Sequence, residues 1–137
     1  MAAKIQRVDY FHCNVRDRPG AAYHLLADLA AGGVNLLAFT AVPVGADLVQ
    51  LTIFPDDVDA LARAADREGL ALTGPDKALL IRGDDELGAL AEVHRKLYDQ
   101  GVNVYASSGV TGGEGRFGYV IYVRPEDFAS AAQTLGV

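Results

Sequence analysis

The sequence predicts an α+β chain of two tandem βαββαβ units, each an antiparallel sheet with its helices on one face. Three observations predict it. A ten-residue pattern is repeated: AAGGVNLLAF at residues 30–39 returns as YDQGVNVYAS at 98–107. Apolar residues alternate with period two in some segments and follow helical spacing in others, in the order strand, helix, strand, strand, helix, strand. Glycines punctuate the boundaries at matching places in both copies.

The repeat fixes the register. Gly33, Val34 and Asn35 recur 68 residues on as Gly101, Val102 and Asn103, and the same offset takes Asp17 to Asp85 and Gly20 to Gly88. Beyond the hairpin the offset is expected to become 70, through a longer second loop, pairing Pro55 with Pro125, Asp57 with Asp127 and Val58 with Phe128. The copies are bounded as residues 1–74 and 75–137.

In the first copy, residues 8–15 place Phe11, Cys13 and Val15 on one face and Tyr10, His12 and Asn14 on the other, which is a strand. Residues 20–31 carry Ala22, Leu25, Leu26 and Leu29 at helical spacing, and Gly32-Gly33 stops that helix. Residues 34–44 and 48–54 form two strands around a turn at Gly45-Ala46. Pro55 suits the first helical position. Asp56, Asp57 and Asp59 favour the positive end of the next helix, whose apolar stripe is Val58, Leu61, Ala62 and Ala65. Gly69 ends it, and residues 70–73 make a short fourth strand.

The second copy repeats the order. Strands are expected at 78–82, 102–107 and 116–123, with helices at 87–98 and 126–134. A Gly-rich hairpin loop spans 111–115. The sequence then leaves almost no room for a fourth strand. This order of elements is that of the ferredoxin-like split β-α-β arrangement. A unit of this size is marginal alone, and the second copy leaves an edge beside residues 78–82 that needs a partner. A homodimer that completes edges or faces is expected. Tyr10, His12, Leu48, Gln50 and Thr52 share the sheet face away from the helices. That face is too apolar for full exposure and too polar for a dry core.

Bulk properties narrow the function. The 137 residues carry 12 Lys and Arg against 18 Asp and Glu, a formal charge of −6. That field repels phosphate backbones, so nucleic acid is not an expected partner. No stretch approaches the roughly 20 apolar residues of a membrane helix, and the Met-Ala-Ala-Lys opening does not resemble a signal peptide. With Cys13 the single cysteine, an intrachain disulfide is excluded. A cytoplasmic protein without membrane attachment is expected.

The motifs VRDRPG before the first helix and GVNLLAF into the second strand, within a βαββαβ unit, resemble the ACT domain. The second copy carries GDDELG and QGVNV, with Leu87 where the first has Pro19. The resemblance covers nearly the whole chain as a tandem pair. It implies a small stand-alone regulatory protein, not a catalyst, that binds a free amino acid where two units meet. It marks Asp17, Arg18, Pro19, Gly20 and Ala21 in the first copy, with Asn35 and Leu36 from the start of a second strand. In the second copy it marks Asp85, Glu86, Leu87, Gly88 and Ala89, with Asn103 and Val104. The regulated partner, an enzyme or another protein, stays open.

Physical chemistry points the same way. Free N–H groups at a helix start attract a carboxylate, glycine lets a ligand approach the backbone, and Asp17 or Asp85 has the charge to hold an ammonium. The asparagines offer donors and acceptors. The same residues would equally serve as a capped helix start with favourable turn chemistry, and Asn35 and Asn103 as turn residues. On that reading the chain is a ligand-free dimerisation or protein-interaction module.

Other chemistry is not expected. His12 and Cys13 are adjacent on a strand and point to opposite faces, so they do not share a metal. Cys13 reads as a small core residue, and His94 as a border histidine aligned with Leu26. His24 lies one turn inside the first helix, within reach of the candidate loop. The glycine-rich stretch at 108–118 joins two strands, whereas a phosphate-binding loop opens a helix. No cofactor is expected, and no Ser-His-Asp or Cys-His arrangement suggests an enzyme.

Overall fold

The computed structural model describes residues 3–137; Met1 and Ala2, from the Met-Ala-Ala-Lys opening, lie outside the described residues. The elements are β1 (Lys4–Arg16), α1 (Ala21–Ala31), β2 (Leu36–Pro43), β3 (Leu48–Pro55), α2 (Val58–Glu68), β4 (Thr73–Asp84), α3 (Ala89–Asp99), β5 (Val104–Gly113), β6 (Arg116–Val123) and α4 (Pro125–Thr134). The chain divides into two compact units, Asp9–Asp76 and Met1–Val8 with Lys77–Val137.

In the unit Asp9–Asp76, β3 pairs antiparallel with β1 on one side and β2 on the other. The alternation read from sequence sets the faces. Phe11, Cys13, Leu51 and Ile53 pack with Leu25 and Leu29 of α1 and with Ala60, Leu61 and Ala64 of α2. On the opposite face His12, Thr52 and Thr40 stand in one cross-strand row. There Thr52 Oγ1 and His12 Nδ1 share a hydrogen bond of 3.2 Å. Asp57 caps α2 by accepting from Ala60 N at 3.2 Å, so Pro55 ends β3 instead of opening the helix.

The expected strand at 70–73 is displaced. Leu70 and Leu72 pack against the core, and pairing begins only at Thr73, from which β4 runs unbroken through the expected 78–82 strand. Within this unit the first part of β4 lies against β1. A Cβ on Gly74 would stand 2.9 Å from the Tyr10 carbonyl oxygen, so glycine permits the approach.

In the other unit β6 pairs antiparallel with β4 and β5. Leu79, Ile81, Tyr119 and Ile121 pack with Val93 and Leu97 of α3 and with Phe128, Ala131 and Ala132 of α4. Among the described residues no strand follows α4. The edge expected to be open beside residues 78–82 is instead covered by residues 4–8. β1 and β4 are hydrogen-bonded neighbours, and Arg82 Nη1 donates to Gln6 Oε1 at 3.3 Å. Ile5 packs on the core. Arg7 donates to the Val137 carbonyl at 2.8 Å and lies 5.9 Å from the Phe128 ring centroid. Each unit thus carries the four-stranded ferredoxin-like arrangement.

The repeat is stricter than the sequence suggested. Asp17 N donates to Asp47 O at 2.8 Å and Asp85 N to Gly115 O at 2.7 Å. Leu36 pairs with Pro55 and Val104 with Val123, so the offset of 68 persists through the hairpin. The expected shift to 70 fails because Pro55 closes a strand while Pro125 opens α4. The second hairpin has a longer first strand, ten residues against eight, and not a longer loop. Its turn residues Glu114 and Gly115 both have positive φ, 57° and 72°, as primed hairpin turns require.

Deleting residues 1–8 removes the strand beside β4 and the buried side chain of Val8. Burial of one such side chain contributes about 1.5–3 kcal/mol. The urea midpoint followed by circular dichroism is expected to fall by the equivalent of at least about 2 kcal/mol; an unchanged midpoint contradicts this role.

Candidate functional site

Both candidate loops leave a strand, turn through a left-handed glycine and start a helix. Gly20 has φ +88° and Gly88 φ +82°, a region that costs an L-residue with a side chain about 1–2 kcal/mol. This turn explains why glycine is kept in both copies and proline is not. Neither helix start receives a side-chain cap. Because the glycine itself occupies the cap position, Asp17 and Asp85 stand three residues before it, too early to reach the first-turn N–H groups. The capping expectation for these aspartates therefore fails. Neither carboxylate has a partner among the described residues.

Backbone hydrogen bonds tie down both loops. Asp17 N is held by the β2–β3 turn and Ala21 N bonds Arg18 O at 3.3 Å; Ala89 N bonds Glu86 O at 3.1 Å in the second. Arg18, Pro19 and Gly20 are exposed, as are Asp85, Glu86, Leu87 and Gly88, while Ala21 and Ala89 are half-buried. Leu87, in the place of Pro19, is fully exposed. His24 does reach its loop: a Cβ on Gly20 would lie 3.5 Å from His24 Nε2.

The remaining expected residues stand elsewhere. Arg16, just before the first loop, pairs with Leu48, whereas Leu36 pairs with Pro55 at the other end of β3. β3 has eight residues, which places the loop and Asn35-Leu36 roughly 23 Å apart at the usual rise per residue. Asp84 and Arg116 pair at one end of β6 while Val104 and Val123 pair at the other, so Asn103 and Val104 are likewise distant from Asp85. Neither unit brings its two halves together. Asn35 and Asn103 are exposed, and Asn35 accepts from Asp56 N through its backbone carbonyl at 3.0 Å.

Two cavities flank the second loop. One, of about 260 Å³, lies between Asp85, Ala89 and Leu90 on one side and Gly109, Thr111 and Tyr119 of the hairpin on the other. The second, of about 520 Å³, is bordered by Glu86, Leu87, Gly88, Glu92 and Lys96. Behind the first, Tyr119 Oη and His94 Nε2 lie 2.6 Å apart. In the other unit a cavity of about 300 Å³ opens at His12, Asn14 and Gln50, on the sheet face away from the helices.

Nothing local in the sequence joins Leu90 of α3 to Gly109, Thr111, Phe117 and Tyr119 of the hairpin. The signal lay in departures between the copies. At the offset of 68, Gly109 replaces Ala41, Tyr119 replaces Leu51 and His94 replaces Leu26. Cys13 is buried, which pushes its thiol pKa up, consistent with a core role. Among the described residues no group of three or more His, Cys, Asp or Glu is placed to hold a metal.

Gly20→Ala and Gly88→Ala are each expected to cost about 1–2 kcal/mol in urea unfolding, since the added Cβ meets strain at positive φ even where space is open. A substitution without effect would show that these turns relax to another conformation.

No protein-family model matches the chain, and no curated protein sequence does. Its fold recurs among solved structures. Protein BT0572 from Bacteroides thetaiotaomicron superposes with a TM-score of 0.80 at 20% identity, covering 96% of this chain and 88% of that one. The ligand-free regulatory subunit of aspartate kinase from Thermus thermophilus gives 0.62 at 18% identity, covering 97% and 93%. The corresponding subunit from Thermus flavus gives 0.53 at 18% identity, covering 98% and 93%. Likeness at these identities concerns the fold, that of two ferredoxin-like βαββαβ units in tandem.

Proposed function

We propose that the chain is a non-catalytic regulatory protein that binds a free amino acid at interfaces between ACT-like units. The observation that carries this reading is the pair of aspartates, Asp17 and Asp85, each free of a partner beside an uncapped helix start. An α-amino acid presents the complementary charges. Its carboxylate suits the helix N–H groups, and its ammonium suits the aspartate. The separation of each loop from Asn35 or Asn103 within its own unit supports a site completed by another unit. Arg18 opposes a second carboxylate in the first loop, where the second has Glu86, so the two sites would differ in selectivity. The likeness to regulatory subunits supports a regulatory role, with the signal carried by differential affinity for two arrangements.

The partners on this reading are a small amino acid, a second copy of the chain, and a regulated enzyme or other protein, in the cytoplasm. No helix among the described residues is long and apolar enough to cross a membrane. The second copy is suggested by β5, an edge strand whose ten residues include no charge and are almost all exposed. Such an edge invites pairing. That strand is also what favours the second reading, a ligand-free interaction module.

Calorimetric titration with the twenty amino acids tests the proposal. At least one should bind, and Asp17→Asn or Asp85→Asn should weaken it about tenfold, or 1.4 kcal/mol. Absence of heat and of thermal shift with every amino acid would favour the interaction module.

A further inference from the structure

We infer that the cavity between α3 and the β5–β6 hairpin is the side-chain pocket of the second loop's site, and that it selects an amino acid with an apolar side chain, aliphatic or aromatic. This rests on the proposed amino-acid site and adds its specificity.

The lining decides the class. Asp85 is the single charged residue on the wall; the others are Ala89, Leu90, Val110, Phe117, Tyr119, Thr111 and two glycines. If Asp85 holds the ammonium, the wall keeps no charge for a Lys or Arg side chain, and it offers none at all for Asp or Glu. Burying an unpaired charge there is costly. The size also fits. An apolar cavity of about 150 Å³ accepts a benzene ring, and this one has about 260 Å³.

Besides Asp85 and Thr111, the wall's remaining side-chain polar group is the Tyr119 hydroxyl, and it is already occupied. Tyr119 hydroxyl and His94 Nε2 are 2.6 Å apart, so the ring, not the hydroxyl, is left for a ligand. Gly109 makes that placement possible, because a Cβ there would stand 2.7 Å from Tyr119 Cδ1. The first unit has Ala41, Leu51 and Leu26 at these positions, so the pocket is particular to the second. Meanwhile Val110 is 71% exposed and Leu90 38%, apolar surface that an apolar ligand would cover.

The test is calorimetric titration of the full chain with leucine and phenylalanine against serine, aspartate and lysine. It is repeated on Leu90→Trp and Thr111→Trp, two exposed positions from which the larger side chain fills the cavity. Leucine or phenylalanine should bind, and either filled variant should weaken that binding at least tenfold. Binding of only serine, aspartate or lysine would overturn the inference while leaving the amino-acid site standing. So would leucine or phenylalanine binding that both folded variants leave unchanged. Should neither variant fold, the ranking of the five amino acids on the unmodified chain decides alone. Failure of all amino acids to bind would overturn the underlying site as well.

Discussion

An open strand edge is the constraint on which each unit depends. A ferredoxin-like sheet of three strands leaves the first strand unpaired on one side, with a row of unsatisfied backbone groups. In the unit Asp9–Asp76 the start of β4 fills that place, with Gly74 admitting the close approach to Tyr10. In the other unit residues 4–8 fill it, and Arg7 and Gln6 fix them by hydrogen bonds to Val137 and Arg82. With the edges closed, alternation commits Phe11, Cys13, Ile81 and Leu79 to the helices, and the helices cannot shift without opening the core.

The candidate site inherits its geometry from this arrangement. A strand held on both edges ends at a fixed point, and the chain must then turn sharply to lay its helix on the sheet. A left-handed glycine makes that turn, and it displaces the aspartate from the capping position. The carboxylate is thereby left outside the helix, facing solvent beside free N–H groups. The backbone bonds from Asp17 to Asp47 and from Asp85 to Gly115 hold the loop against the hairpin turn. In the second unit this brings α3 and the hairpin together around a cavity.

Much of this is legible in the sequence, because period and punctuation are local properties. The helix-facing side of β1 follows from Phe11, Cys13 and Val15 alone, and Gly20 and Gly88 announce the turn. Edge pairing is not legible. Nothing in Ile5 or Val8 says that they belong with residues 77–137, since that pairing joins residues some 70 apart in the chain and depends on the whole topology. The fusion of two expected strands into β4 escaped for a similar reason, as Gly74-Pro75 reads locally as a break. The capping role of Asp17 was plausible by composition and failed on a displacement of three residues. The cavity wall was hidden because Gly109 and Tyr119 acquire meaning only through their cross-strand register.

The central claim is that the aspartates before the two helices hold an amino acid's ammonium. The most direct measurement is a crystal structure of the chain grown with the amino acid that binds it in solution. The account predicts the ammonium within hydrogen-bond distance of the Asp85 or Asp17 carboxylate and the carboxylate at the helix start. An amino acid bound away from both loops, or held with its carboxylate toward the aspartate, would contradict it.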